Sequence, residues 1–287
     1  MQTVLVAGAT GYLGKYLLKE FHQRGYRVVA LVRDKDKAKR LNLAADEILQ
    51  AEVTRPETLK NQLQGVDLVV SSLGITKQQD GLAYRDVDYQ ANVNLLREAL
   101  RANVPQFAYV HVLNAAKMLD VPLVAAKQAF VDELQAAPIR SSVLAPSGFF
   151  SDMADFLTMA RAGRVYLFGD GQLQLNPIHG ADLAHALADA TSQNKSWLNI
   201  GGPETFSHRE LAQLAFESLD KKSKITCLPD SVRRLALRAL PYLSQLKMAG
   251  PAQFFLTAMG MDMVGEPHGK RTLAEHFKRE ATQLSNS

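Results

Sequence analysis

Through the first half of the chain, short apolar and β-branched runs alternate with longer stretches in which apolar residues recur at helical spacing. The runs Thr3–Ala7, Arg27–Val32, Glu47–Ala51, Asp67–Ser71, Phe107–Leu113 and Ser141–Ala145 predict strands. Between the first two, Leu13, Leu17 and Phe21 repeat every four residues, and Val87, Ala91, Leu95 and Ala99 do the same before the fifth; each set predicts an amphipathic helix. Strands alternating with helices predict right-handed βαβ units and a parallel sheet covered on both faces, an α/β doubly wound fold of Rossmann type.

After Pro146 the pattern loosens. Gly148, Gly163, Gly169 and Gly171 punctuate a loop-rich stretch, followed by a helix from Asp182, a late strand at Trp197–Ile200 and a helix started by Ser207. The expected division is a Rossmann domain over residues 1–146, to which the late strand near 197–200 returns, and a smaller, irregular substrate or lid lobe over 147–287. Val232, Leu235, Ala236, Ala239, Leu240 and Leu243 trace one face of a helix that carries Arg233, Arg234 and Arg238 elsewhere. That pattern suits packing within the lobe, a lid over a substrate cleft, or contact of the 232–243 helix with a membrane surface. As a lid it would bring Phe149, Phe150, Phe254, Phe255 and Met259 to an apolar substrate site. The polar tail from Gln283 to Ser287 is expected to fray.

Composition narrows the partners. The 287 residues are 47% hydrophobic, enough for a sizeable core, and the net charge is only +4 with both signs interspersed. This excludes the basic face of a nucleic-acid binder. Cys227 is the single cysteine, so no disulfide or thiolate cluster forms within the chain, and no positively charged leader precedes Thr3–Ala7. A cytoplasmic protein is expected. Met248–Met261 is uncharged but short and interrupted by Gly250, Pro251 and Gly260, so no transmembrane segment is expected. None of the seven histidines pairs with a carboxylate at zinc-site spacing, and no metal is expected.

The chemistry begins at Gly8-Ala9-Thr10-Gly11-Tyr12-Leu13-Gly14, which follows the first strand and opens the first helix. Gly8 would end the strand in a tight turn, Gly11 would let backbone approach a pyrophosphate, and Gly14 would let the helix pack close to the strand. The helix N-terminus then presents N–H groups and a partial positive charge to the anion. At the end of the second strand a carboxylate would bind a ribose 2′-hydroxyl and a cation a 2′-phosphate. Arg33 stands there, with Lys35 and Lys37 behind it, so the expected cofactor is NADP(H), while Asp34 keeps NAD(H) open.

With this loop in place, the chain resembles the short-chain dehydrogenase/reductase superfamily, whose extended and atypical members open with the same glycine spacing. Glu52-Val53-Thr54 resembles the family's adenine-contacting position, and Ser72-Leu73-Gly74 the segment along the adenosine ribose and phosphates. Val87-Asp88-Tyr89 with Asn92, Asn94, Leu95 and Leu96 is similar to its fourth helix, Asn176-Pro177-Ile178-His179 with Asp182-Leu183 to its hinge, and Asn199-Ile200-Gly201-Gly202 to its late strand and turn. The resemblance implies a cofactor-binding set of Gly8, Thr10, Gly11, Tyr12, Leu13, Gly14, Arg33, Glu52, Val53, Ser72, Leu73, Gly74, Lys127 and Pro146.

The departure from the family is at its catalytic pair. Active members carry a tyrosine that exchanges the substrate's proton, four residues before a lysine that holds the nicotinamide ribose. Lys127 resembles that lysine, but Leu123 stands in the tyrosine's place, and Tyr109-Val110-His111-Val112-Leu113-Asn114 lacks the expected serine. This places the chain nearer to the NmrA-like, isoflavone-reductase-like and complex I 39-kDa-subunit-like relatives, some reductases and some cofactor-binding proteins without established turnover. His111, on a strand whose carboxyl end should face the cleft, becomes the candidate proton donor beside Lys127. Two functions stay open: an NADPH-dependent reductase of a small apolar carbonyl, enone or quinone-like substrate, and a non-catalytic NADP(H)-binding protein that senses redox state or joins a protein complex.

Overall fold

The structure, a computed structural model, describes residues 1–75, 82–243 and 249–285. In chain order the first elements are β1 (Thr3–Ala7), α1 (Tyr12–Gln23), β2 (Arg27–Val32), α2 (Lys35–Arg40), β3 (Glu47–Gln50), β4 (Leu68–Ser71), α3 (Asn92–Arg101), β5 (Gln106–Val110), α4 (Pro122–Ala136) and β6 (Arg140–Pro146). There follow α5 (Ala154–Arg161), β7 (Val165–Phe168), β8 (Gln174–Leu175), α6 (Gly180–Ser192), β9 (Trp197–Gly201), β10 (Phe206–Ser207) and α7 (His208–Glu217). The last are β11 (Ile225–Leu228), α8 (Asp230–Ala239), α9 (Ala249–Ala258), β12 (Glu266–Pro267) and α10 (Leu273–Ser285). The chain divides into two compact units, Met1–Ala145 with Leu183–Leu198, and Pro146–Asp182 with Asn199–Ser287.

In the first unit six strands lie parallel in the order β3-β2-β1-β4-β5-β6. Strand order reverses beside β1, which is the Rossmann arrangement expected from the alternating pattern. The apolar runs are uninterrupted because both sheet faces are covered. Leu5, Val29, Leu31, Val69, Phe107 and Tyr109 pack with Leu95, Leu96 and Ala99 of α3 and Phe130, Val131 and Leu134 of α4. Val4, Val6, Val28 and Ala30 are as deeply buried and point the other way. On that side α1 packs on β1 and β2, burying Leu13, Leu17, Leu18 and Phe21. Helix α6 also joins this unit: Arg24 donates to Asp189 at 2.7 Å, and the Gln106 amide donates to the Thr191 carbonyl at 2.9 Å.

Two local features differ from the sequence expectation. The fifth strand stops at Val110, because after His111 N–H reaches the Leu144 carbonyl (2.8 Å) the chain turns away through Asn114 at φ 58°. The helix read from Val87 to Ala99 begins as π-helix over Arg85–Ala91 before α3. The Asn92 amide donates to the carbonyls of Val87 (3.2 Å) and Asp88 (3.0 Å), serving backbone groups in that wide turn.

In the second unit β7 pairs parallel with β11, β8 antiparallel with β10, and β12 with Ile200 and Gly201 of β9. The Asn176 side chain ties this irregular unit together, donating to the carbonyls of Gly265 (2.8 Å) and Gly202 (3.2 Å) and accepting from Gly265 N–H (2.8 Å). Ser207 starts α7 in a capping box with Glu210. Helix α8 buries no residue, and Val232 and Leu235 are 43% and 68% exposed, so its apolar stripe does not enter the core. Phe150 and Met259 are buried, whereas Phe149, Phe254 and Phe255 are half-buried. Of the tail expected to fray, α10 runs helical through Ser285; the last two tail residues, like Met248, lie outside the described residues. Among the described residues no helix is long and apolar enough to cross a membrane, and no group of side chains could hold a metal ion.

The seat of α1 on β1 depends on Gly14. A Cβ there would stand 2.1 Å from the Gly8 carbonyl oxygen and 2.8 Å from Ala9 Cα, both backbone atoms that cannot rotate away. Gly14→Ala is expected to lower stability by at least the roughly 1–3 kcal/mol typical of overpacking. Thermal unfolding checks this, and a melting temperature equal to the parent's would contradict it.

Candidate dinucleotide site

A cleft of about 700 Å³ opens at the carboxyl ends of β1 to β4, where strand order reverses. It is lined by Gly8–Gly11, Leu31–Asp34 with Lys37, Ala51–Thr54 and Ser72–Ile75, with Leu82, Val87 and Ala91 from the segment before α3. Of the residues expected to bind a cofactor, Gly8, Thr10, Gly11, Arg33, Glu52, Val53, Ser72, Leu73 and Gly74 are brought together in this lining. Tyr12, Leu13 and Gly14 form the first turn of α1 behind the loop. Pro146 ends β6 and belongs to the second unit.

The loop is shaped for close approach to an anion. Gly8 sits at φ +82°, where a Cβ would also meet Ser72 Oγ at 2.7 Å, so the sharp exit from β1 requires glycine. Gly11 N–H donates to the Gly8 carbonyl (2.9 Å), and the Ser72 hydroxyl donates to the Ala7 carbonyl (3.1 Å). No side chain caps α1 at Gly11 and its first turn holds no acidic residue. The helix's positive end therefore opens onto the cleft without an internal carboxylate to neutralise it. Bare backbone, a helix N-terminus and a cleft within the range of about 300–1,000 Å³ typical of ligand sites fit a dinucleotide pyrophosphate.

The wall at the end of β2 has a defined charge. Asp34 Oδ1 accepts Lys37 N–H at 2.8 Å and caps α2, and that hydrogen bond holds its carboxyl below the usual range. With Asp34 committed to the helix end, Arg33 and Lys37 supply the cations of this wall. On the next segment Glu52 accepts from the Thr54 hydroxyl (3.0 Å), and the Asn94 amide fixes the backbone by donating to the Val53 carbonyl (3.0 Å).

Lys127 lies beneath this lining. Its ammonium is 3.4 Å from Asp88 Oδ1 and donates to Tyr109 Oη at 3.3 Å and the Val110 carbonyl at 3.4 Å. Burial works against the charge, but Tyr109 and Asp88 outweigh it and hold the Lys127 pKa above its ordinary value. Leu123, one turn earlier on α4, is half-buried and brings no hydroxyl. His111, the expected proton donor, is 2% exposed, is not in the cleft lining, and burial, with the Lys127 charge, pushes its pKa down to about 4. It is a neutral imidazole near pH 7, not a group poised to titrate there. Its Nε2 lies 3.1 Å from Gln128 Oε1. Sequence reasoning passed over Tyr109 and Asp88 as partners of Lys127; the visible signal was a carboxylate, Asp88, inside an apolar helical pattern.

Fold and cleft together define a Rossmann-type protein with a cleft suited to a dinucleotide. Residues 8–194 match a family model described as NAD(P)H-binding, and the chain belongs to that family. The divinyl chlorophyllide a 8-vinyl-reductase of Arabidopsis thaliana is 28% identical over 267 residues, covering 85% of this chain and 64% of the reductase. The chain thus spans slightly less than two thirds of the length of that relative. The photosystem II assembly factor Ycf39 of Synechocystis sp. is 25% identical over 235 residues, 80% of this chain and 72% of its own. The same fold is seen in an NADPH-dependent quinone oxidoreductase of Escherichia coli complexed with NADPH (TM-score 0.74, 20% identity, 99% of this chain and 100% of that one). It recurs in a Citrobacter sp. triphenylmethane reductase (TM-score 0.75, 18% identity, 98% and 99% covered).

Gly11 tests the loop separately from the fold. Its φ of −75° suits any residue, and an added Cβ would meet only the Gly8 carbonyl, at 3.2 Å. Gly11→Val is therefore expected to fold and to lose dinucleotide binding, because its branches fill the space the pyrophosphate needs. Calorimetric titration with NADPH and NADH checks this; unchanged affinity would move the phosphate site elsewhere.

Proposed function

We propose that the protein is an NADPH-dependent reductase of an apolar carbonyl, enone or quinone-like substrate. The observation that carries the cofactor choice is the division of labour at the end of β2, where Asp34 caps α2 while Arg33 and Lys37 line the cleft. Arginine can bracket a 2′-phosphate with two parallel N–H donors, whereas the Asp34 carboxylate, though it also lines the cleft, is engaged at the end of α2. The substrate class is supported by relatives named for reducing a vinyl group, a quinone and a triphenylmethane dye, all conjugated acceptors.

In this reading the Gly8–Gly11 loop and the α1 N-terminus bind the pyrophosphate, Arg33 and Lys37 the 2′-phosphate, and Lys127 the nicotinamide ribose hydroxyls. A bound nicotinamide would supply hydride; the chain's own part is to position and to exclude water. Proton delivery does not fall to a tyrosine on α4, since Leu123 stands there, nor to a charged His111. A second reading, a non-catalytic NADP(H)-binding protein acting in the assembly of a complex, is supported by the similarity to Ycf39 and by that same lack of an acid.

The two readings separate in one assay, in which oxidation of NADPH is followed with a panel of quinones, aldehydes and enones. Turnover with any of them supports the reductase, and binding without turnover across the panel supports the second reading. For the cofactor, Arg33→Asp is expected to weaken NADPH by about ten- to a hundredfold, the worth of roughly 1.5–3 kcal/mol for a charged hydrogen-bonded contact, with little change for NADH. Equal affinities of the unaltered protein for both cofactors would overturn the NADP(H) preference.

A further inference from the structure

Lys127 carries a charge into the interior of the first unit, its side chain only 13% exposed and that of Asp88 not at all. Removing two charges from water is costly unless each compensates the other. The contacts of the ammonium, at 3.3 and 3.4 Å, are at the long end of hydrogen bonding, and Asp88 Oδ1 makes no directed hydrogen bond. The attraction is therefore one of charge in a poorly screened interior, which lets the ammonium share its N–H groups with a further acceptor.

The pair is also built into the cleft lining. Asp88 Oδ2 accepts the N–H of Ile75 at 3.1 Å, and a Cβ on Gly74 would meet Asp88 Oδ1 at 2.8 Å and Lys127 Nζ at 3.2 Å. Gly74 and Ile75 both line the cleft, so the ion pair touches its wall from behind. Tyr109 approaches from β5, with its ring 4.7 Å from that of Phe130 and its hydroxyl on Lys127.

We propose that Asp88 is the counter-charge that keeps Lys127 an ammonium and holds it at the Gly74 wall, and that Tyr109 supplies from β5 the phenol partner that α4 lacks at Leu123. The role for a bound cofactor rests on the dinucleotide reading above; the pairing itself does not. Both are positioning residues, since neither lines the cleft. The titratable groups around the ammonium are Tyr109 and His111 on and just after β5 and Asp88 on the segment before α3, with Tyr84 facing Asp88 from that same segment. Burial pushes the Tyr109 hydroxyl up to about 12, so near pH 7 it is an uncharged phenol. His111 is uncharged there as well, and Tyr84, also raised by burial, stays neutral. Burial also pushes the Asp88 carboxyl above its ordinary range, opposed by the Lys127 charge and the Ile75 N–H; when ionised, Asp88 is the group among them that balances the ammonium.

The test titrates the lysine amines of the full chain by NMR, with Lys127→Met to assign the resonance, and measures NADPH affinity from about pH 6 to about pH 10. In the unaltered protein Lys127 is expected to stay charged and the affinity to show no lysine limb. In Asp88→Asn, only the Tyr109 and Val110 contacts still oppose burial: the Lys127 titration should fall by about one pH unit or more, and NADPH affinity should drop about tenfold per unit above it. In Tyr109→Phe, which keeps the ring, Lys127 should remain charged with affinity lowered a few-fold. An unmoved Lys127 titration in folded Asp88→Asn would overturn the proposal. Should that variant not fold, loss of the ammonium in Tyr109→Phe would overturn the assignment to Asp88, and its retention would support it. A shifted titration in a protein that binds no NADPH would uphold the pairing and remove the dinucleotide reading instead.

Discussion

The site depends first on how closely helix α1 approaches strand β1. The chain leaves β1 through a glycine at positive φ and re-enters a helix whose Gly14 lies against the Gly8 carbonyl. A helix that starts so near the sheet brings its partial positive charge to the carboxyl ends of the strands. The apolar faces of α1, β1 and β2 fix that position by burial, with Leu13, Leu17 and Phe21 all within the core. Two absences of side chains thus let ordinary hydrophobic packing bring the helix end to the cleft.

The cleft lining carries both signs of charge, Arg33 and Lys37 beside Asp34 and Glu52. Asp34, adjacent to Arg33, turns its carboxylate to the first turn of α2. Asp88, the carboxylate under the opposite wall, is paired with Lys127 and with the N–H of Ile75. Each of these acids is engaged by the protein itself, Asp34 by a helix end, Asp88 by a buried cation and Glu52 by the Thr54 hydroxyl, while Arg33 and Lys37 bring cations to the lining. The pattern is coherent with a ligand that carries several phosphate charges.

The relatives of this chain include a reductase and an assembly factor at similar identity, 28% and 25%, so the architecture serves both kinds of protein. What separates members of such a family is the content of the site: a proton donor where catalysis needs one, a surface where assembly needs one. At the position of the usual tyrosine this chain has Leu123, and the phenol near Lys127 comes from Tyr109 on another element.

The pattern of the sequence by itself determined the parallel Rossmann sheet. Its signals are local: β1 and β2 fall at the expected Thr3–Ala7 and Arg27–Val32, and the glycine loop sits between β1 and α1. Strand ends were less legible where tertiary bonding decides them, as when β5 stops at Val110 because the backbone turns at Asn114. That the loop residues and Arg33 come together in the cleft could be read because it follows from their place in one βαβ unit. The fates of Asp34, His111, Asp88 and Tyr109 could not. Whether a carboxylate caps a helix or faces a ligand, whether an imidazole is buried into neutrality, and which phenol reaches a lysine 18 positions away are set by packing between distant segments. Local pattern carries the backbone's course, whereas proton and charge states depend on desolvation and neighbours that only the assembled tertiary structure provides.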